Sequence, residues 1–467
     1  MGRQTIKTKD LTKIGYHNDV SRSVAISAVM RHFKHIAKAE ILQILSLVKE
    51  NPSEYLSDER LRALANTFIT KVKAKSFESY DLLEKPSLCK VFGGKDIDGN
   101  AKKQMELAMR LPIALQGALM PDAHTGYGLP VGGVLAADNA VIPYAVGVDI
   151  GCRMALSVFD LSEKYLQMNA YHLKKALSEY THFGMDGGLA FAQEHEILDR
   201  KEFQNTDLLK KLHGKAVKQL GSSGGGNHFV EFGLLELFAD NILNLPAGRY
   251  LAILSHSGSR GFGAEVAKHY MKMAMETCKL PKEAQHLAWL SLDSNAGQEY
   301  WESMNLAGDY ASACHDRIHY NLAKAIGEKP IVKVENHHNF AWEEWHNDKK
   351  VIVHRKGATP ASKGELGIIP GNMIAPGFLV VGKGNIDSLH SASHGAGRRL
   401  SRGGARETFT MSALKKQLSS AGVTLLGGTV EEIPQAYKDI EKVMAAQQSL
   451  VDVHGKFFPK IVRMNKE

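Results

Sequence analysis

The sequence predicts an α+β protein of irregular architecture, with a mainly helical N-terminal region and a larger remainder rich in short strands and loops. Three observations carry this expectation. Apolar residues recur at three- and four-residue steps as far as about residue 75. From about residue 85, short β-branched runs alternate with glycine clusters. Those runs are not followed by helices in the regular order that a doubly wound parallel sheet needs.

The first element is the helical region, assigned to residues 1–85, with the remainder, 86–467, as one larger domain. Ile26, Val29, Phe33, Ile36, Ile44, Leu45 and Val48 mark one apolar stripe, Asn51-Pro52 interrupts it, and Leu61, Leu64 and Phe68 resume it. Beyond it, Val131-Gly132-Gly133-Val134-Leu135 and Ala145-Val146-Gly147-Val148-Asp149 read as β runs. A helical stretch is expected around 160–220, strands at 250–254, 331–334, 351–354 and 378–381, and helices near 263–280, 308–326 and 430–447.

The 467 residues leave room for two or three average domains or one large fold, and 44% apolar with 23% charged residues is the balance of a globular chain. No apolar run approaches a membrane span, and the first residues lack the apolar core of a secretory signal. Cys89, Cys152, Cys278 and Cys314 show no paired spacing, which points to a reducing compartment. A cytoplasmic protein without a membrane partner is expected. The net charge of +8 fits a polyanionic partner. Basic runs such as Lys71-Val72-Lys73-Ala74-Lys75 and Arg398-Arg399-Leu400-Ser401-Arg402 are in most proteins only solvated faces.

Polar residues of interest stand at the ends of the expected strands, in glycine-rich turns where backbone can approach a ligand. Asp149 and Cys152 lie three positions apart, and Gly226-Asn227-His228-Phe229, Ser255-His256-Ser257-Gly258 and Glu335-Asn336-His337-His338-Asn339 each present a histidine. Taken singly, each histidine is more often a hydrogen-bonded structural residue than a ligand, and Cys152 alone reads as a buried thiol. Together they make a ligand set: thiolate and imidazole suit zinc, while the carboxylate and a phosphate substrate also admit manganese. The turns Arg355-Lys356-Gly357-Ala358, Ile369-Pro370-Gly371-Asn372-Met373, Gly382-Lys383-Gly384-Asn385 and Ser391-Ala392-Ser393-His394-Gly395-Ala396-Gly397-Arg398 can converge backbone N–H groups on phosphate, with nearby Lys or Arg adding charge-assisted bonds. There is no Walker-type loop and no Lys-x-Asp-Gly of the lysine-adenylating ligases, so a covalently carried nucleotidyl group would sit on histidine.

In order and spacing, Met120-Pro121-Asp122-Ala123-His124, Gly147-Val148-Asp149-Ile150-Gly151-Cys152, Gly226-Asn227-His228-Phe229, His256-Ser257-Gly258-Ser259-Arg260, His338-Asn339, Arg355-Lys356-Gly357 and Ser393-His394-Gly395-Ala396-Gly397-Arg398 resemble the RtcB family of RNA ligases. The resemblance covers roughly residues 85–410 and the C-terminal tail. It implies an RtcB-like fold, with β-sheets around a deep metal-containing cleft and helices flanking it. It also implies an enzyme that uses GTP to join RNA ends bearing a 3′-phosphate or 2′,3′-cyclic phosphate to a 5′-hydroxyl. By position, two Mn2+ ions would be bridged by Cys152, one held also by His256 and His338, the other by Asp149 and His228. His394 would carry GMP. Asn227, His228, Phe229, Val230, Glu231, His338, Asn339, Pro370, Gly371, Asn372, Met373, Gly395, Ala396, Gly397 and Lys466 would line the nucleotide site, with Glu231 on the guanine. An archease-like activator is a further implied partner.

Two stretches depart from the family. Pro370-Gly371-Asn372-Met373-Ile374-Ala375-Pro376-Gly377-Phe378 lacks the hydroxyls of the usual Pro-Gly-Ser-Met-Gly-Thr-x-Ser-Tyr, and Lys466 is followed by Glu467 rather than glycine. A metal-dependent phosphoesterase or an end-capping nucleotidyltransferase on the same centre is the alternative reading. An RNA-binding protein without turnover is a third.

Overall fold

The computed structural model describes residues 6–17, 19–33, 35–68, 77–184 and 188–466. The basic run Lys71-Val72-Lys73-Ala74-Lys75 and Glu467 lie outside the described residues. The chain divides into two compact units, Met1–Ser76 and Phe77–Glu467.

The first unit is helical: α1 (Thr8–Lys13), α2 (Asp19–His32), α3 (Lys38–Glu50) and α4 (Arg62–Phe68), with a 3-10 turn at Pro52–Tyr55. Proline lacks a donor and suits a first turn, which is why the apolar period breaks there. The i, i+4 stripes Ala25–Val29–Phe33 and Ile41–Leu45 meet Leu11, Val48 and Leu64 in one core. Tyr16 is sealed into it, its hydroxyl donating to the Leu45 carbonyl at 2.8 Å.

In the second unit two sheets dominate. The larger uses β4 (Arg153–Val158), β5 (Phe229–Leu237), β6 (Gly248–Ser257), β7 (Val332–His337), β10 (Leu366–Ile369), β11 (Gly377–Gly382), β12 (Thr424–Leu426) and β13 (Val451–Met464). Its order is β7-β4-β6-β5-β13-β11-β10, antiparallel throughout, with β12 added parallel to β13. The smaller sheet, β8-β9-β3-β2-β1, is built from β1 (Leu88–Val91), β2 (Ala114–His124), β3 (Val131–Ala137), β8 (Asn339–His346) and β9 (Lys349–Lys356).

The larger sheet nearly closes on itself. At the seam, the Asn336 carboxamide on β7 stands in for a paired strand: its Oδ1 accepts from Ile368 N at 2.8 Å, and its Nδ2 donates to Ile368 O at 3.3 Å and Thr359 Oγ1 at 2.8 Å. One face packs on helices Ala170–Tyr180 and Asn295–Ile326 through Phe232, Leu251, Ile253, Ile318 and Leu322. The long helix is capped by Ser294, whose Oγ accepts from Gly297 N, and ends on Gly327 at φ +75°.

Three expected elements differ. Ala145-Val146-Gly147-Val148-Asp149 is not a strand: Pro143–Val146 form a helical turn led by proline, and Gly147 at φ +98° ends it. The helix expected near 430–447 is split into Val430–Glu432, Pro434–Ala436 and Ile440–Ala445, because Pro434 offers no N–H. The expected helical stretch 160–220 is two short helices, a long connection and a third, Asp207–Gln219.

Candidate active site

Antiparallel pairing assembles the site. The start of β4 lies beside the end of β7 and the end of β6, and the end of β6 beside the start of β5: His337 pairs Arg153, Met154 pairs His256, and His256 pairs Phe229. Residues just outside or at these four ends therefore share one edge. They are Asp149 and Cys152 before β4, His228 before β5, His256 near the end of β6, and His338 after β7. His338 is also the one residue between β7 and β8, so it stands where the chain crosses from one sheet to the other.

The contacts fall into two pairs with a thiol between them. His256 Nε2 is 3.1 Å from His338 Nε2, and His228 Nε2 is 2.9 Å from Asp149 Oδ2. Cys152 Sγ is 3.2 Å from His256 Nε2 and 3.3 Å from His228 Nε2. His256 Nδ1 donates to the Asn227 carbonyl at 3.1 Å, which leaves its Nε2 as a bare lone pair facing both the thiol and His338. So many electron-pair donors turned on one another make a candidate cation centre, and the set of three imidazoles, one thiol and one carboxylate fits borderline divalent ions. Burial pushes His256 and His338 well below the ordinary histidine range, so both are neutral at pH 7, the form that can bind a cation. Burial alone would raise Asp149, yet the adjoining His228 outweighs it and holds the carboxyl at about 2. The Cys152 thiol is pushed up by burial and by Asp149, a cost that a bound cation reverses.

Across from this edge a cavity of about 340 Å³ opens. His394 lines it, its ring 5.0 Å from that of His338. Asp122, fully buried, fixes that histidine: its Oδ2 accepts from His394 Nδ1 at 2.7 Å and from the backbone N–H groups of His394 and Gly395 at 3.1 and 3.4 Å. Nδ1 then carries the proton, and Nε2 is the free lone pair. Gly397, at φ +73°, lets the turn close: a Cβ there would stand 2.1 Å from the Asp122 carbonyl oxygen.

Of the residues expected around the nucleotide, Asn227, His228, Phe229, Glu231, His338, Asn339, Pro370, Gly371, Asn372, Met373, Gly395, Ala396 and Gly397 line this cavity together with Asp149, Cys152 and His256. Val230 and Lys466 do not. Strand alternation turns Val230 to the helix-packed face of β5, where it is fully buried, and Lys466 is exposed. In the 372–378 loop the Asn372 carboxamide is turned inward, Oδ1 accepting from Ile374 N at 3.0 Å and Ala375 N at 2.9 Å. Burial pushes the Glu231 carboxyl well above its ordinary range.

Asp122 and Tyr437 had no role read for them from sequence, and Lys356 and Arg398 were expected only as basic residues beside a glycine-rich phosphate cradle. Lys356 lines the cavity, with Nζ donating to the Tyr127 and Tyr144 carbonyls, and burial lowers its ammonium to about 7. Arg398 pairs with Glu432 at 3.1 Å beside the Tyr437 ring. The signal available for Asp122 and Lys356 was only their place in the Met120–His124 and Arg355–Gly357 runs.

The family model described as tRNA-splicing ligase RtcB matches residues 104–464. The RNA-splicing ligase RtcB of Escherichia coli (strain K12) is 31% identical over 389 residues, covering 77% of this chain and 93% of the relative. The tRNA-splicing ligase RtcB of Nanoarchaeum equitans is 30% identical over 414 residues, covering 74% and 86%. An RNA-splicing ligase RtcB homolog 1 of Entamoeba histolytica is 29% identical over 409 residues, covering 73% and 78%. With one edge of thiol, carboxylate and imidazoles facing a carboxylate-held histidine, and with the family model spanning most of its length, this chain belongs to the RtcB family.

Proposed function

We propose that the protein is an RNA ligase that uses GTP and two manganese ions to join a 3′-phosphate or 2′,3′-cyclic phosphate end to a 5′-hydroxyl, through GMP carried on His394. The observation that carries this reading is the His394 imidazole, tied at Nδ1 to Asp122 and aimed by Nε2 into a cavity walled opposite by Cys152, His228, His256 and His338. Family membership supports RNA as the substrate.

Cys152 with His256 and His338 would hold one ion, and Cys152 with Asp149 and His228 the other. When bound, these ions supply charge neutralisation and Lewis acidity at phosphorus. His394 Nε2 attacks the α-phosphorus of GTP; the N–P bond forms, the bond to the bridging oxygen breaks, and pyrophosphate leaves. The Nδ1 proton stays between the ring and Asp122, whose carboxylate offsets the positive charge that grows on the imidazole. The RNA 3′-phosphate oxygen then takes GMP from His394, and the 5′-hydroxyl displaces GMP from that activated phosphate. A cyclic phosphate is first opened by water. Lys356, its ammonium weakened by burial, gains charge when an anion enters beside it and so favours phosphate in the cavity. The RNA backbone is followed by basic side chains at the mouth, a salt-sensitive contribution. An archease-like activator and a cytoplasmic setting belong to the same reading.

The inward-turned Asn372 favours a second reading for nucleotide choice, because its loop spends two N–H groups on its own side chain rather than on a ligand. One experiment addresses both. Purified protein with manganese and α-labelled GTP is expected to become covalently labelled, and His394→Ala to lose the label. Labelling by ATP in place of GTP would assign the difference to the 372–378 loop. No labelling by either nucleotide, in metal-loaded protein, would replace the ligase with a phosphoesterase on the same centre.

A further inference from the structure

A second set of ligand-type side chains lies outside the cavity. Glu344 and His346 share one face of β8 by strand alternation, and His390 arrives from the turn that precedes the strand Ser391–Ser393. The ligand atoms of the three lie within 4.8 Å of one another, and the His346 and His390 rings are 4.7 Å apart. None of the three lines the cavity of His394.

Three further features set this cluster apart from an ordinary ion pair. Leu389 and His390 both adopt left-handed backbone, at φ +53° and +49°, a conformation disfavoured for a non-glycine residue. Two such residues in succession seat the His390 ring against His346. His346 keeps only 4% of its side chain exposed, yet its Nδ1 has no hydrogen-bond partner. Arg355, wholly buried, grips Glu344 through Nη1 to Oε1 at 2.5 Å and Nη2 to Oε2 at 3.1 Å, and the Leu389 carbonyl through Nη2 at 2.9 Å, while Glu344 Oε2 stays 2.8 Å from His346 Nε2. The carboxylate and the turn are thus held for each other by one guanidinium.

We propose that Glu344, His346 and His390 form a second cation site, of the zinc class, that pins the turn leading into His394. Two imidazoles and one carboxylate are a donor set for a borderline divalent ion, with water completing the shell on the half-exposed His390 side. Burial lowers His390, and Arg355 outweighs burial to hold Glu344 at about 2. Tetrahedral zinc ligands stand about 3.5 Å apart, so donors already within 4.8 Å of one another need only a small closure. The site anchors the chain four residues before His394.

The test is metal counting on the full chain, stripped with chelator and then dialysed against zinc. His390→Asn, chosen because asparagine tolerates left-handed backbone, is expected to bind one zinc fewer per chain than wild type, and Glu344→Gln to bind that zinc at least about tenfold more weakly. Cobalt(II) separates the two centres. Its thiolate charge-transfer band belongs to Cys152 and should persist in His390→Asn while visible-band intensity falls; Cys152→Ala should lose the charge-transfer band and keep the second ion. Equal zinc stoichiometry and affinity in wild type, His390→Asn and Glu344→Gln would overturn the proposal and leave an ion-pair network.

Discussion

Replacing Asp122 with asparagine tests the central geometry most directly. The wild-type carboxylate gathers three hydrogen bonds on Oδ2 and leaves Oδ1 buried without a partner. Asparagine keeps the shape, and its carbonyl can replace Oδ2, but its NH2 then occupies the partnerless Oδ1 position and the negative charge is lost. A hydrogen bond to a charged group contributes about 1.5–3 kcal/mol, and the loss falls on the step in which the imidazole becomes positive. Taking about 2–3 kcal/mol from that transition state slows it roughly 30- to 150-fold. The assay is the single-turnover rate of covalent labelling by α-labelled GTP with manganese, beside the equilibrium affinity for GTP. Affinity should hardly move, since Asp122 is covered by His394. A folded Asp122→Asn protein labelled within about twofold of the wild-type rate would refute the role given to this carboxylate.

A Cβ at Gly258 would stand 2.0 Å from Asp149 Oδ1, so Gly258→Ala should turn that carboxylate away from His228 and weaken metal binding roughly 10- to 100-fold, read by metal titration, with little change in the melting temperature of the metal-free protein. Glu335 pairs with Arg153 at 2.5 Å; burial alone would raise its carboxyl, but Arg153, His315 and Lys333 hold it at about 2. Depression from 4.5 makes the ionised form stabilising by roughly 3 kcal/mol above pH 4.5, and this is lost as pH falls toward 2. Denaturant titrations of Glu335→Gln against wild type should therefore show the full gap at pH 7 and a closing gap below pH 4.5. Asn336→Ala, which strips the seam of its stand-in pairing, should cost about 2–3 kcal/mol in the same measurement; a loss under about 0.5 kcal/mol would mean the sheet closes without it.

Much of the strand content was legible because period and punctuation agree: Val131-Gly132-Gly133-Val134-Leu135 and the runs at 250–254, 351–354 and 378–381 all lie within strands. The 145–149 run misled because its apolar residues carry no signal of direction, whereas Pro143 just before them marks a helical first turn. Pro434 could likewise have split the last expected helix. Within the site, Cys152, His228, His256 and His338 could be picked out as ligand types beside apolar runs, but not their pairing, which depends on which strand ends adjoin. Val230 was separable from Phe229 and Glu231 by alternation alone. The Asp122 to His394 contact spans 272 positions, and Glu344 with His390 meet only through tertiary folding, so no local pattern announces either.

The one-residue step at His338 makes the cation centre a rivet between two sheets. A side chain that closes the site belongs to the peptide on which one sheet ends and the other begins, so neither sheet can peel away without emptying the centre. Metal affinity and the cohesion of this unit are then one quantity viewed twice: an ion present at a hundredfold over its dissociation constant adds about 2.7 kcal/mol to the folded state. Melting temperature should climb with the logarithm of free metal, and chelation should loosen the molecule from the middle outward rather than from its edges.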